Sequence, residues 1–348
     1  MRSLLFVGLL LPLLLGLSSC EEDTPPVERD TIELAGTMEQ SMTIPVNTDV
    51  LVSDNLTIPS GIELVVEQGV HFQVSDGKAI ILTGRLKING TILNPVLFMP
   101  AVDGELWYGL TTTSNDTIFS LDLNNAHFTD CLQGISIHGI NASLTGVKVS
   151  NCLTYGIICS NDNGTTITDL EVFDCEVGVS LESGSNALVT DAWLHDNEIG
   201  FWSTSTRAVL RASIIENNTN TGVRSDTYGD SLQILDNTIT ENQTGVMFRY
   251  GPEVVLLGNT ISLNIRGILL VSYQRSSLVL HENNLLENEQ FAISYESDIN
   301  PDFTVPLDIS NNYWGTTDSA AIAEMVIDAY DNPGWDTLRF VPFAMIPF

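Results

Sequence analysis

GISI, at Gly134 to Ile137, is the first of seven related tetrapeptides, each a glycine followed by strand-forming residues. The others are GIIC (156–159), GVSL (178–181), GFWS (200–203), GVRS (222–225), GVMF (245–248) and GILL (267–270). Their glycines are 22 residues apart except for one spacing of 23, and AISY at Ala292 follows 25 residues after the last. A repeat of this length with strand-like alternation predicts a solenoid whose coils stack on one another.

A second column of apolar residues precedes these glycines. Its members are Phe128, Val149, Val172, Leu194, Ile215, Ile239, Ile261, Leu285 and finally Trp314. Turn residues separate the alternating runs, and no helical period appears in the array. The segment Val50–Met99 shows the same alternation and supplies the first coils. Each strand should therefore pair in parallel with its copy in the next coil, at a spacing of about 4.8 Å.

The 22-residue coil with Gly-led strands resembles the right-handed parallel β-helix of the pectate-lyase superfamily. Leucine-rich repeats have a similar period, but their Leu-x-x-Leu-x-Leu signature is missing. The resemblance covers nearly the whole folded body and is specific for the fold, much less so for an activity. It implies an all-β protein, a single right-handed parallel β-helix solenoid of about 12 coils over residues 43–315, with a short C-terminal capping helix.

Residues 316–348 are predicted to cap the open end of the solenoid. A helix is expected from Ser319 to Tyr330, started by Asp318, and a last strand from Leu338 to Phe343. Together with Asn-Asn-Tyr-Trp-Gly at 311–315, this ending resembles the terminal cap of many bacterial surface β-helix proteins.

The N-terminus has the features of an export signal. Residues 1–19 combine Arg2, an apolar stretch and a small-residue site, which is typical of a signal peptide. Leu17-Ser18-Ser19-Cys20 resembles the lipobox of bacterial lipoproteins, in which Cys20 becomes the lipidated first residue. Residues 20–42 are interpreted as an acidic tether. The acids behind Cys20 resemble the export tag of Bacteroidetes-type surface lipoproteins, so we expect an exported protein, lipid-anchored to the outer membrane at the cell surface.

The composition limits the classes of partner. A hydrophobic content of 43% with 16% charged residues indicates a substantial core, and the net charge of -31 argues against nucleic acid and anionic lipid surfaces. Contact with the membrane is therefore expected only through the lipid. Cationic partners, divalent ions and neutral glycans remain open. No cofactor is predicted, since Ca²⁺ is compatible with the acidic chain but no motif supports it.

Two polar columns accompany the repeat. One holds Cys131, Cys152 and Cys175 and then Asn197, Asn218, Asn242, Asn264 and Asn288; the other holds Asn237, Asn259, Asn283 and Asn312. Stacked amides can bond to one another and to the backbone at each corner. Stacked cysteines lie within disulfide reach, but parallel side chains do not readily adopt the required dihedral, so buried thiols are favoured. Because no Cys-x-x-Cys or paired histidine accompanies them, no metal site is predicted.

The outward positions of the Gly-led strand, with the loop that follows, offer a candidate ligand surface. This outward face comprises Trp202, Arg224, Asp226, Tyr228, Arg249, Tyr250, Tyr273 and Arg275. Aromatic rings stack on sugar faces, and flanking arginines and acids bond to hydroxyls or carboxylates. The alternative is that the tyrosines shield the sheet edge while the arginines neutralise nearby acids.

No catalytic residue is predicted. Arg224-Ser225-Asp226 resembles the start of the polygalacturonase Arg-Ile-Lys motif, but the lysine and that family's paired aspartates are absent, and the hydrolysis needs two placed carboxylates. A pectate or alginate lyase would need a basic residue beside acids or calcium, and nothing singles out such a set. The five histidines recur at no common position and are expected at the surface or in turns.

The favoured hypothesis is a non-catalytic, surface-displayed protein that binds a polysaccharide or other glycan, or serves as an adhesive or structural element. Its rival is a polysaccharide lyase, or another polysaccharide-degrading enzyme, that uses the outward face. A purely architectural spacer is a third reading.

Overall fold

The computed structural model describes residues 29–348 apart from 114–119, 163, 205, 227–230, 252, 274–276 and 297–305. The predicted signal peptide, Cys20, Tyr228 and Arg275 lie outside the described residues. Within them, no helix is long and apolar enough to cross a membrane.

The strands in the first half of the chain are β1 (Asp30–Thr37), β2 (Met42–Ile44), β3 (Thr48–Ile58), β4 (Glu63–Glu67), β5 (His71–Val74), β6 (Ala79–Leu82), β7 (Arg85–Asn89), β8 (Val96–Pro100), β9 (Gly109–Thr112), β10 (Ser120–Asn124), β11 (Ala126–Cys131), β12 (Ile135–His138), β13 (Ala142–Thr145), β14 (Lys148–Ser160), β15 (Thr166–Thr168) and β16 (Glu171–Glu182). They continue as β17 (Leu188–Thr190), β18 (Trp193–His195), β19 (Ile199–Thr204), β20 (Arg207–Arg211), β21 (Ile214–Glu216), β22 (Thr221–Ser225), β23 (Ser231–Leu235), β24 (Thr238–Thr240), β25 (Thr244–Arg249), β26 (Glu253–Leu257), β27 (Thr260–Ser262), β28 (Arg266–Val271), β29 (Ser277–His281), β30 (Asn284–Leu286), β31 (Phe291–Glu296) and β32 (Leu307–Asp308). The C-terminal elements are α1 (Ser319–Glu324), β33 (Val326–Ile327) and β34 (Leu338–Arg339).

These strands wind into a parallel β-solenoid, which confirms the predicted fold class. In the described part of the chain, a larger sheet has 21 strands and a smaller sheet has 11, and strands from successive coils pair in parallel. The smaller sheet receives one strand from each coil, so the array has 11 coils, close to the expected 12. The right-handed winding agrees with the strong preference of crossovers between parallel strands.

The register of the coils is the one that the repeat predicted. The first residue after each glycine aligns with its copy in the next coil, as in Ile157, Val179 and Phe201, and all three are fully buried. The column from Phe128 to Leu285 is also in register and buried. Alternation therefore places one side of every strand in a core that runs along the solenoid axis.

The repeated glycine is required by close approach between coils. A Cβ added at Gly200 would lie 2.8 Å from the carbonyl oxygen of Gly222 and 2.8 Å from Cγ2 of Ile215. Real side chains do not approach that closely, so a larger residue would push two coils apart. This crowding explains why the motif begins with glycine.

Asparagine ladders satisfy the backbone at two corners, as predicted. Asn242 Nδ2 donates to the carbonyl oxygens of Ile215 and Thr240 and to Oδ1 of Asn264, at 2.8 to 3.1 Å. Its own Oδ1 accepts from the backbone N–H and from Nδ2 of Asn218. Each amide thus ties together three coils, and Asn259 does the same in the second ladder.

The cysteine column occupies the same corner in earlier coils. Cys131, Cys152 and Cys175 are Cα partners on neighbouring parallel strands and are buried. The sulfur atoms of Cys131 and Cys152 lie 2.8 Å apart, and the Cys175 thiol donates to the carbonyl oxygen of Phe173 at 3.3 Å. Cys159 is fully buried on the adjacent strand and pairs with Ile137 and Leu181.

The C-terminal cap differs in detail from its prediction. Asp318 does start the helix, since its side chain accepts from the backbone N–H of Ala320. The helix ends at Glu324, however, and not at Tyr330. The next residues, Val326 and Ile327, form β33 and pair with β31, because continuing the sheet covers its open edge.

The solenoid also begins earlier than predicted. Strand β1 at Asp30–Thr37 pairs in parallel with β3, so the tether expected over residues 20–42 already contains the first strand. Arg29 fixes this end of the described chain: Nε donates to Asp49 at 2.5 Å, and Nη2 donates to the carbonyl oxygens of Thr48 and Gly69.

Candidate functional site

The outward face brings part of the predicted set together. Trp202 Nε1 donates to Oδ2 of Asp226 at 3.2 Å, and the guanidinium of Arg224 binds the same oxygen at 2.6 and 2.7 Å. The guanidinium also lies over the Trp202 ring, 4.9 Å from its centre. These three side chains therefore pair with one another through Oδ2 of Asp226, which agrees with the alternative that the arginines neutralise nearby acids.

The other residues of the outward face differ in their exposure. Arg249 lies over the ring of Tyr250, which is 39% exposed, and the buried Nε of Arg249 has no hydrogen-bond partner. Tyr273 does not present its ring as expected, because it is buried in the core with 1% of its surface exposed. Tyr228 and Arg275 fall outside the described residues.

A second surface, which the sequence reasoning missed, lies at the corner where strands of the smaller sheet turn into the larger one. This corner groove has a volume of about 430 Å³ and is lined by Ile92, Asn125, His127, Gly146, Val147, Lys148, Asp169, Leu170, Glu171, Asp191 and Trp193. Its lining residues come from five successive coils, spaced about 4.8 Å apart.

Two columns build the corner groove. Asn125, Gly146, Asp169 and Asp191 hold the corner itself and all have positive φ, the conformation that turns the chain between strands. His127, Lys148, Glu171 and Trp193 are the first outward residues after that corner and stand in register in successive coils. Each of the second four directly precedes the buried apolar column, and reading that position down the repeat would have revealed the groove.

An aromatic stack lies beside the corner groove, and Trp193 is the member of it that lines the groove. The His195 ring is stacked on Trp193 at 4.0 Å and on Phe173 at 5.0 Å between centres, while Lys148 Nζ lies 4.7 Å from the centre of the Phe173 ring. Trp193 Nε1 donates to Glu216 at 2.8 Å, which fixes the indole, yet the residue remains 42% exposed. His195, expected at the surface or in a turn, is 9% exposed.

The charges of the corner groove are mainly negative. The Lys148 ammonium is paired with Glu171 at 2.8 Å, while Asp169 and Asp191 are exposed at the corner. Burial, and secondarily the charge of Lys148, lower the pKa of His127 below its ordinary value. The imidazole is therefore neutral at pH 7, and it adds no positive charge to offset the acids.

The arrangement can hold a sugar in a shallow cleft. An exposed indole face offers a stacking surface, and the carboxylates and the ammonium beside it can bond to hydroxyl groups. Among the described residues, no group of three or more His, Cys, Asp or Glu is placed to hold a metal ion.

Comparison with known proteins supports the fold and places the chain in a sequence family. A family model described as "Periplasmic copper-binding protein (NosD)" matches residues 111–322. No curated protein matches the chain.

The structures of two alginate-modifying enzymes align with this chain. The crystal structure of the periplasmic alginate epimerase AlgG aligns with a TM-score of 0.60 at 15% identity, covering 86% of this chain and 77% of that one. The A-module of the Azotobacter vinelandii mannuronan C-5 epimerase AlgE6 gives 0.46 at 14% identity, covering 81% and 88%. At such identity the likeness to AlgG extends to the fold alone.

Proposed function

This chain belongs to the family described as periplasmic copper-binding protein (NosD), and we propose that it is an exported, lipid-anchored protein that binds glycan without catalysing a reaction. The family's periplasmic description and the lipobox at Cys20 support export. Display at the cell surface of the outer membrane rests on the acidic residues that follow Cys20.

Copper, which the family description names, does not fit the described residues. They hold no group of three metal-ligating side chains, and the two thiols that approach each other have sulfurs 2.8 Å apart. Metal–sulfur bonds are about 2.3 Å for zinc, so two of them on opposite sides of an ion need a wider gap. The proposed glycan binding does not involve copper.

The exposed Trp193 ring in the corner groove carries the glycan proposal. Its indole is held by Glu216 and backed by His195, so little conformational freedom is lost when a flat sugar face stacks on it. Lys148 and Glu171 lie in the same cleft, where they can bond to hydroxyl groups. Rigid aromatic rings beside polar groups are typical of carbohydrate sites.

The charge of the corner groove selects among glycans. Asp169 and Asp191 are not balanced by Lys148, which already pairs with Glu171, and the whole chain carries a charge of -31. A polyuronate would be repelled by these carboxylates, whereas neutral or amino-sugar polymers would not. The ligand we propose is therefore a glycan without acidic groups.

A second contact is proposed on the outward face. Arg249 and Tyr250 form its open part, whereas Trp202, Arg224 and Asp226 are engaged with one another. The exposed Tyr250 ring, with the Arg249 guanidinium lying over it, can add a stacking surface.

The test is retention on immobilised glycans by the chain and by two matched variants. Trp193→Ala should weaken retention about tenfold, equivalent to about 1.4 kcal/mol. Ile214→Ala is the control, because Ile214 occupies the same column one coil later, is similarly exposed and does not line the groove. Equal retention by both variants would contradict the site.

The same preparation separates binding from catalysis. Incubation with neutral, amino-sugar and uronate polymers should yield no unsaturated or shortened product. Release of unsaturated product, abolished in Arg249→Ala, would establish the rival polysaccharide lyase on the outward face.

A further inference from the structure

The cysteine column lies outside both proposed glycan contacts, and its geometry is not that of ordinary buried thiols. We propose that Cys131 and Cys152 join in a disulfide bond when the chain folds under oxidising conditions, linking two neighbouring coils covalently.

The backbone already holds the two residues at the right separation. Cys131 and Cys152 are Cα partners on adjacent parallel strands, which lie about 4.8 Å apart. Disulfides span Cα separations of about 4.4 to 6.8 Å, so no movement of either coil is needed.

The sulfur atoms are closer than unbonded neighbours. Their separation of 2.8 Å is shorter than the roughly 3.5 to 4.0 Å at which unbonded carbon atoms pack. A disulfide requires about 2.05 Å. Small rotations of the two side chains bring the sulfurs to bonding distance and relieve the contact.

Cys131 is the partner of Cys152 in preference to Cys175. Cys175 is also in register with Cys152, but its thiol donates to the carbonyl oxygen of Phe173. Cys152 instead makes its sulfur-to-sulfur contact with Cys131. Cys159 aligns with Ile137 and Leu181 and has no cysteine partner in register.

The reaction is an ordinary thiol–disulfide exchange with a small-molecule or protein disulfide as oxidant. One cysteine thiolate attacks the oxidant, breaking its S–S bond, releasing one thiol and forming a mixed disulfide. The second cysteine thiolate then attacks the mixed disulfide and releases the other thiol. The two cysteines lose two electrons and two protons, which reduce the oxidant's disulfide to two thiols.

Burial determines when the bond can form and how long it lasts. Cys131 and Cys152 are 0% and 3% exposed in the folded chain, so an oxidant must reach them before the coils close. After closure the same burial keeps reductants away. Disulfides persist in exported proteins, so retention of the bond in the cell rests on the proposed export.

The decisive experiment refolds the mature chain in a glutathione redox buffer, alkylates the remaining thiols in denaturant and maps the peptides without reduction. The expected result is one linkage, between Cys131 and Cys152, with Cys159 and Cys175 alkylated. Cys159→Ala is the matched control and should leave the linkage unchanged, whereas Cys152→Ala should abolish it. The linkage should protect the folded chain from reductant and be lost when reductant is added in denaturant.

Alkylation of all four buried cysteines, or a linkage that includes Cys159, would overturn the proposal. So would an unoxidised column that binds one copper ion per chain and loses it in Cys152→Ala. Peptide mapping of the chain taken from cells tests export separately. A linkage that forms on refolding but is absent from the chain isolated from cells supports the bond and contradicts the proposed location.

Discussion

One corner of the solenoid is occupied by cysteine in three coils and by asparagine in the next five. Cys131, Cys152 and Cys175 point into the same corner as Asn197 and its successors, with the same register. In the asparagine region each amide bonds to the backbone of neighbouring coils, and at the junction Asn197 Oδ1 accepts from the backbone N–H of Cys175. In the cysteine region the contacts are between sulfurs or from sulfur to a carbonyl oxygen.

The difference teaches that one position can be stabilised by two mechanisms. An amide has donors and an acceptor that satisfy buried backbone groups on both sides. A thiol is a weak donor and acceptor, so its contribution comes from packing, or from a covalent bond. The stability of the asparagine region should therefore depend on each asparagine side chain. The stability of the cysteine region should depend on whether its cysteines are oxidised or reduced.

Asn242→Ala should have the largest effect on stability. It removes three donated and two accepted hydrogen bonds in the middle of the ladder and leaves buried backbone groups unpaired. With about 1 to 3 kcal/mol for each unsatisfied group, we expect a loss of about 3 to 5 kcal/mol. Urea unfolding measures it, with the partly exposed Asn220→Ala as control. A loss below about 1 kcal/mol would show that the two regions are equivalent.

Asn288→Ala should cost less, because Asn288 ends the column. Its Nδ2 donates to Ile261, and its Oδ1 accepts from Asn264, but no further asparagine follows in the described chain. The expected loss is about 1 to 2 kcal/mol by the same unfolding measurement. A cost equal to that of Asn242→Ala would mean that position in the column does not matter.

Cys152→Ala in the presence of reductant should cost about 1 kcal/mol or less, since a small buried side chain is truncated and no strong hydrogen bond is lost. Without reductant, the same substitution should cost about 2 to 4 kcal/mol, the usual contribution of a disulfide. The comparison between the two conditions is made by thermal unfolding. Equal losses of stability with and without reductant would contradict the proposed redox dependence.

The smallest expected effect is a change in stability with pH. It arises in the cysteine region, where β11 carries both His127 and Cys131. The pKa of His127 is lowered in the folded protein, so as pH falls below about 6.5 the unfolded chain takes up the proton first. Stability should therefore decrease between that pH and the lower native pKa. His127→Gln should flatten this part of the profile, and His71 should contribute with the same sign. An unchanged slope in the variant would contradict the shift.

The fold was readable from the sequence because the repeat itself encodes it. Gly-led alternation every 22 residues specifies both the strands and their register, and the close contact at Gly200 shows why the motif recurs. The ends were less readable, since they do not repeat. Val326 has a helical apolar spacing yet pairs in the sheet, and Ile32 and Leu34 lie in a segment too polar to suggest a strand but pair with β3.

The candidate site was only partly predictable. Trp202, Arg224 and Asp226 lie together, but side-chain pairing among them is a property of packing that a sequence does not show. Tyr273 was expected at the surface and is buried. The corner groove was missed because one residue from each of several coils lines it. These residues share a position in the repeat, but they differ in residue type, so the sequence shows no recurring motif there.

The hydrogen bonds of Arg29 have a mechanical consequence if a lipid on Cys20 anchors the chain. A pull on the tether would reach Arg29 before β1, and its guanidinium bonds to Thr48 of one strand and to the carbonyl oxygen of Gly69 ahead of the next. Force would thus be shared between two layers of the stack, and β1 would not have to peel from the edge alone. Tension in a polymer bound elsewhere on the solenoid would act on the same Arg29 contacts.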